Sequence, residues 1–313
     1  MPDIVTAQSS LKERLPNLLL GNNRTTSSAL HQVEFIGRLT EWENFEEDVI
    51  RDYRMQDWGP NKVLDYKPHG FVTISSLRNE HVAVGDEMGV QGRWQQHICQ
   101  VMSSIFHAQG LDLTLGDFRT SSSVYGKRPD IACMAYVTHV QSWKGDPQPP
   151  DLLPVLRDLV FVGELKTPWV KQHSLSSGVK DEGLFCRMIG QIAEYMKDLD
   201  LRYGLMSTYN ETIFLRQVQN TATRLWELQY SPVIHHSTSA DLVSGTPSLR
   251  QCIWHVARAL DSPLEIGKAK ELITSDNAVT ESCEPRANYT PAASHLEKIS
   301  GSIIIRTRAY VLM

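Results

Sequence analysis

The alternation of hydrophobic and polar positions becomes regular near residue 85 and predicts a mixed α/β core. Apolar residues recur at helical spacing in two segments, and three shorter segments alternate or are apolar throughout, as strands are. The predicted elements, in chain order, are a helix at 90–106, strands at 111–118, 130–137 and 158–166, a helix at 183–199 and a short hairpin around Tyr209. This order indicates a mixed central sheet flanked by helices on both faces.

The segments on either side of this core are less regular. We expect residues 1–80 to form an N-terminal extension that is partly helical, and the clearest helical pattern in it lies at 41–58. Residues 81–262 are the predicted core, and a helix at 248–260 closes it. Residues 263–313 predict a polar linker that ends in one strand-like run, because Ser, Thr, Asn, Glu and Pro dominate the stretch before that run.

Composition narrows the class of protein. The 313 residues carry a formal net charge of -5, which argues against a protein that coats nucleic acid by bulk positive charge. No stretch approaches the roughly 20 apolar residues of a membrane span, and charged residues interrupt the first twenty positions, so neither a membrane partner nor a signal peptide is expected. Five cysteines without a CxxC pair suit a reducing compartment, so we expect an intracellular protein of the cytoplasm or nucleus.

Three charged residues stand out because apolar strands hold them. Asp130 begins one strand, and Glu164 and Lys166 lie at the end of the next. Alternation along a strand places Glu164 and Lys166 on one face, and an antiparallel pairing of the two strands would bring Asp130 opposite them. Two carboxylates and an ammonium are therefore predicted to converge at one end of the sheet.

This trio has a clear chemical use. Paired carboxylates bind Mg²⁺ or Mn²⁺, hard cations that prefer oxygen ligands. Such a cation lowers the pKa of a water and offsets charge on a phosphoryl oxygen, and a neighbouring lysine can orient the water. Without a cation, two carboxylates this close repel each other, and one tends to stay protonated.

The residues that carry this constellation resemble a known superfamily. "RPD" at 128–130 and "GELK" at 163–166 are similar to the signature of the PD-(D/E)XK nucleases, and "QIAEY" at 191–195 is similar to the QxxxY helix of the RecB-type branch. "GELKTPW" also looks like uncharacterised fungal members. The resemblance covers roughly residues 85–220 and implies a restriction-endonuclease-like fold.

The resemblance also implies roles for individual residues. Asp130, Glu164 and the main-chain carbonyl of Leu165 would bind the metal, and Lys166 would position the water. Gln191 and Tyr195, four residues apart on one helix face, would steady that network. An upstream acid often completes the metal shell in these nucleases; Glu87 is the first candidate for it and Glu80 the second.

Other residues compete with or extend this assignment. Asp65-Tyr66-Lys67 repeats the D-x-K pattern, but Pro68 directly follows it and few apolar residues precede it. Asp151 also follows a proline, but Pro154 leaves no room for an outgoing strand. Trp169 is a candidate for substrate binding by stacking on a base, with a buried anchor as the alternative.

The leading expectation is Mg²⁺-dependent hydrolysis of DNA phosphodiesters. An alternative is that the scaffold serves non-nucleolytic chemistry on a small molecule, as in fungal secondary metabolism, with the same Asp, Glu and Lys as acid-base groups and no metal. A neutral balance of eight Lys/Arg and eight Asp/Glu across 163–227 favours that alternative. A second alternative is an inactive interaction module that pairs through its C-terminal strand, for example as a homodimer.

Overall fold

The computed structural model describes residues 5–27, 30, 33–59, 80–121, 123, 125–136, 157–220, 223, 225–260 and 305–307. Within them the helices are α1 (Ala7–Lys12), α2 (Phe45–Met55), α3 (Glu87–Trp94), α4 (Gln100–Ala108), α5 (Leu175–Gly178), α6 (Glu182–Asp198) and α7 (Leu249–Leu260). The strands are β1 (Leu19–Leu20), β2 (Val33–Phe35), β3 (Arg38–Glu41), β4 (Ala83–Val84), β5 (Leu113–Gly116), β6 (Ile131–Tyr136), β7 (Arg157–Leu165), β8 (Tyr203–Ser207), β9 (Glu211–Gln219), β10 (Trp226–Tyr230), β11 (Ile234–His235) and β12 (Ile305–Thr307). No helix among these residues combines the length and the apolar character that crossing a membrane requires.

A mixed eight-stranded sheet organises the molecule. Its strand order is β3-β10-β9-β8-β7-β6-β5, and β11 pairs with β9 outside this path. The β7–β8 and β3–β10 pairs are parallel, and the remaining pairs are antiparallel. Because β7 and β8 are parallel neighbours, the chain must return along the sheet between them, and α6 makes this crossover. The predicted α/β class and central sheet are confirmed.

Helices cover both faces of this sheet. One face packs against α6 through an apolar cluster that includes Val162, Ile192 and Met196. The opposite face packs against α2, α4 and α7 through a cluster that includes Phe45 and Trp254. Since side chains alternate along a strand, Glu164 lies on the same face of β7 as Val162, beneath α6.

Two predicted helices have different limits in the structure. The helix expected at 41–58 begins at Phe45, because Asn44 adopts a left-handed conformation and Glu41 closes β3. The helix expected at 90–106 begins earlier, at Glu87, where the Asp86 carboxylate accepts a hydrogen bond from the N–H of Gly89. A π-helical turn, Gln95–Cys99, separates α3 from α4.

The chain outside the predicted core also contributes strands. In the N-terminal extension, β3 pairs in parallel with β10 and so forms an edge of the main sheet, with Leu39 opposite Leu228. In the C-terminal extension, β12 pairs with β2 in an antiparallel manner, with Arg306 opposite Glu34. The strand that was expected to need a partner therefore has one in the same chain.

Candidate functional site

The register between β6 and β7 brings the predicted acids together. Ile131 pairs with Gly163 in the antiparallel ladder, so Asp130, one residue earlier, stands beside Glu164. The Asp130 carboxylate accepts a hydrogen bond of 2.8 Å from the main-chain N–H of Leu165. On its other side, the Asp130 carbonyl accepts a 2.9 Å bond from the side-chain amide of Gln91 in α3. Asp130 is therefore held by β7 and by α3.

Lys166 lies between two carboxylates. Its Nζ is 2.6 Å from Oε1 of Glu164 and 3.8 Å from Oε2 of Glu87. Its main-chain N–H donates to the carbonyl of Ser207, which continues the pairing of β7 with β8 by one residue. Glu164 and Lys166 are only 3% and 8% exposed, whereas the Glu87 side chain is 47% exposed. The ammonium is thus buried on the Glu164 side and reaches towards solvent on the Glu87 side.

Burial and mutual repulsion perturb these carboxyl groups. Burial, with a smaller contribution from the charge of Asp130, raises the pKa of Glu164 to about 8. Burial also raises the pKa of Asp130 to about 6, and the hydrogen bond from Leu165 only partly opposes it. For Lys166, burial alone would lower the pKa, but attraction to Glu164 and Glu87 outweighs it and the pKa is raised.

Asp130 and Glu164 offer oxygen donors of the kind that a divalent cation prefers. Oε2 of Glu164 is buried and accepts no hydrogen bond from any residue that the structure describes. Three carboxylates, those of Asp130, Glu164 and Glu87, surround a single ammonium, so the cluster is short of positive charge. A cation would satisfy the free oxygen and offset the repulsion that adds to burial in raising both pKa values. Among the described residues, no group of three or more His, Cys, Asp and Glu side chains could hold a metal ion as the side chains are placed. Asp130 and Glu164 would be the side chains that bind the ion, together with the carbonyl predicted at Leu165.

Gln191 and Tyr195 meet at this site as the spacing predicted. The side-chain amide of Gln191 donates a 2.6 Å hydrogen bond to the Tyr195 hydroxyl. Burial, and then the charge of Glu164, raises the pKa of Tyr195, which places its hydroxyl within the electrostatic range of the carboxylates. Because the hydroxyl oxygen already accepts from Gln191, its proton is available to a carboxylate or a ligand.

For the DNA hydrolysis that the sequence leads us to expect, replacing Tyr195 with phenylalanine should slow turnover by about tenfold, because the hydroxyl proton is lost and the Gln191 amide loses its acceptor. The ring and its packing against Tyr125 are retained, so the melting temperature should stay close to that of the wild type. Steady-state rates and thermal unfolding of the two proteins, measured side by side, would check this. An unchanged rate would mean that the Tyr195 hydroxyl has no role in the reaction.

Two of the predicted residues have other partners. Glu80, the second candidate for the upstream acid, is occupied by Arg93 at 3.1 Å and His97 at 2.9 Å, so it cannot serve as a free ligand of this site. The indole N–H of Trp169 donates to the carbonyl of Thr25 at 2.8 Å, and the ring is half-buried. Trp169 therefore anchors the N-terminal segment, and its stacking on a base stays a prediction.

Sequence reasoning missed a group of residues that hold the loop before Asp130. The Tyr125 hydroxyl donates to Asp198 at 2.7 Å, and Lys127 pairs with Glu194 at 2.6 Å. Both acids lie on α6, beside Tyr195. Their i, i+4 spacing was visible in the sequence, but their partners are about 70 residues away and no local pattern connects them.

His173 was also missed. It is buried, it contacts Thr167, and the charges of Lys166 and Glu87 both act on its imidazole. A lone histidine in a polar loop carries no periodic or motif signal, so no sequence pattern points to it.

Comparison of the chain with protein-family models, with curated proteins and with solved structures found no match.

The competing assignments lie outside the described residues; they are Asp65, Lys67 and Asp151. The likeness to PD-(D/E)XK nucleases accordingly depends on residues 128–130, 163–166 and 191–195 alone.

Proposed function

We propose that the protein is a divalent-metal-dependent phosphodiesterase that hydrolyses DNA on a restriction-endonuclease-like core. The observation that carries the proposal is the convergence of Asp130, Glu164 and Lys166 at one end of adjacent strands, with a buried Glu164 oxygen that has no hydrogen-bond partner among the described residues. The Gln191–Tyr195 pair beside them supports the same assignment.

The residues divide the chemistry between them. Asp130 and Glu164 would hold Mg²⁺ or Mn²⁺, which supplies Lewis-acid activation of a water and neutralises phosphoryl charge when bound. Lys166, kept cationic by Glu164 and Glu87, would donate a hydrogen bond to the attacking water or to a phosphoryl oxygen. Water adds to phosphorus, the bond to the leaving ester oxygen breaks, and that oxygen takes up a proton.

The test is cleavage of plasmid and single-stranded DNA with Mg²⁺ or Mn²⁺. We expect Asp130→Ala and Lys166→Ala each to reduce the rate by about 100-fold or more, because each removes a group that acts on the reacting phosphate. Asp158→Ala is the matched control, since Asp158 is an exposed carboxylate near the start of β7, at the opposite end of that strand from Glu164. No cleavage by the wild type, or equal cleavage by all four proteins, would contradict the proposal.

A second candidate is small-molecule chemistry by the same side chains, and the burial of Glu164 and Lys166 favours it. The N-terminal segment also approaches the site: the N–H of Thr25 donates to the carbonyl of Gly85, two residues before Glu87. A segment held there would obstruct a long duplex more than a small substrate. A folded protein that cleaves neither DNA and binds no Mn²⁺ at Asp130 and Glu164 would favour this candidate.

A further inference from the structure

His173 lies against the residue that follows Lys166. It ends a short 3-10 turn, Lys171–His173, and is 3% exposed. Its Nδ1 is 3.1 Å from the carbonyl oxygen of Thr167 and 3.1 Å from the Thr167 hydroxyl. The imidazole therefore spans the turn and contacts the backbone just beyond β7.

These contacts favour one tautomer of the imidazole. A carbonyl oxygen can only accept a hydrogen bond, so its distance of 3.1 Å from Nδ1 of His173 favours a hydrogen on Nδ1 that is donated to Thr167. Nε2 is buried and has no hydrogen-bond partner in the described part of the chain. A proton on Nε2 would be a buried donor without an acceptor, which is costly, so the imidazole is held neutral. Burial, with a smaller effect of the Lys166 charge, also lowers the pKa of His173.

The backbone around Lys166 needs such a support. The ladder between β7 and β8 ends with the bond from the Lys166 N–H to Ser207, and Pro168 can donate no bond of its own. The bond from His173 to the Thr167 carbonyl therefore fixes the chain on the far side of Lys166. A side chain that must keep its ammonium between Glu164 and Glu87 depends on that backbone position.

We propose that His173 is a positioning residue for Lys166: a neutral imidazole, protonated on Nδ1, that holds the Thr167 carbonyl and so keeps the ammonium in place. The consequence for catalysis rests on the proposed function, since it assumes that Lys166 acts on the substrate. The effect of His173 on the position of the Lys166 ammonium does not rest on the proposed function.

Two substitutions separate the two imidazole nitrogens. In His173→Asn, the amide N–H occupies nearly the position of Nδ1 and can still donate to Thr167, but nothing replaces Nε2. In His173→Gln, the amide reaches the position of Nε2, and the donor near Thr167 is lost. Both remove the ring, so both should lower the melting temperature by similar amounts. We expect His173→Asn to keep its kcat on DNA within about threefold of the wild type, and His173→Gln to lose about tenfold in kcat with little change in KM.

Nuclear magnetic resonance of the full chain tests the inference without any activity. With ¹⁵N-labelled histidine, His173 should be neutral and protonated on Nδ1 at pH 7. The Lys166 ammonium protons should exchange slowly with water in the wild type and in His173→Asn, and rapidly in His173→Gln.

An imidazolium, an Nε2-protonated ring, or a Lys166 signal that responds equally to both substitutions would overturn the inference. A kcat that follows only the loss of stability, equal in the two variants, would also overturn it. If the wild type does not cleave DNA, the proposed function fails, while the tautomer and the exchange of the Lys166 protons still decide the role of His173.

Discussion

A Glu164→Gln variant is expected to unfold less readily than the wild type in the absence of divalent cations, and to have lost its activity on DNA. Glu164 is 3% exposed and stands beside Asp130, and one of its oxygens has no hydrogen-bond partner in the part of the chain that the structure describes. An amide of the same shape keeps an oxygen for Lys166 and brings no charge into the acidic cluster. We expect a gain on the order of 2 kcal/mol in the free energy of unfolding at pH 8 or above, together with a loss of about 100-fold or more in cleavage rate.

The stability gain should depend on pH in a defined direction. The pKa of Glu164 in the folded protein, about 8, lies above its ordinary value of 4.5, so the folded state binds more protons than the unfolded state between these values. The stability of the wild type therefore falls as the pH rises from about 4.5 to about 8. Asp130, with a pKa of about 6 in the fold, acts in the same direction over a lower range.

Chemical denaturation of both proteins at several pH values from 4 to 9, in the presence of a chelator, measures this difference. Glu43→Gln, which alters an exposed carboxylate, is the control and should follow the wild type. A Glu164→Gln variant that is less stable than the wild type at pH 8 would mean that Glu164 is already well compensated, and the argument for a missing cation would fail.

Gly190→Ala is expected to have the largest effect on the fold. A Cβ atom at Gly190 would lie 2.1 Å from the carbonyl oxygen of Val33 and 3.0 Å from Cα of Glu34. These are backbone atoms of β2, so no flexible side chain can yield, and α6 must separate from β2. We expect a loss of about 3 kcal/mol or more in the free energy of unfolding. Gln191 and Tyr195 lie on the same helix, so activity should fall as well.

Gly92→Ala provides the matched control. Gly92 lies within α3, where an added Cβ would meet no heavy atom of the described residues within 4 Å, apart from its chain neighbours and the backbone of its own helix. Alanine in a helix interior is favoured over glycine by roughly 0.5–1 kcal/mol, so this variant should be slightly more stable than the wild type. Urea unfolding of the two variants checks the pair. Equal effects would show that α6 and β2 do not approach as closely as the structure describes.

Much of the core could be predicted because its periodicity is strong. The strands at β6 and β7, the helix α6 and the hairpin of β8 and β9 all agree with the sequence-based expectations. The position of Asp130 beside Glu164 followed from counting residues along two antiparallel strands, and the register confirms it. These are short-range patterns that apolar alternation specifies directly.

The remainder depends on contacts between distant parts of the chain. The parallel pairing of β3 with β10 joins residues nearly 190 positions apart, and no local sequence pattern predicts it. His173 is connected to the site only by its contact with the main-chain carbonyl of Thr167. Glu80 pairs with two basic residues, Arg93 and His97, and so is not a free ligand of the site. These contacts depend on tertiary packing, which cannot be predicted from the spacing of residues in a single sequence.

The most direct test of the central claim is the position of Mn²⁺ in crystals of the full chain. We expect an anomalous difference peak in contact with carboxylate oxygens of Asp130 and Glu164, and its loss in crystals of Asp130→Asn grown under the same conditions. A peak only at other residues, or no peak at saturating Mn²⁺ in crystals with an open path to the site, would contradict the account of a metal-dependent phosphodiesterase.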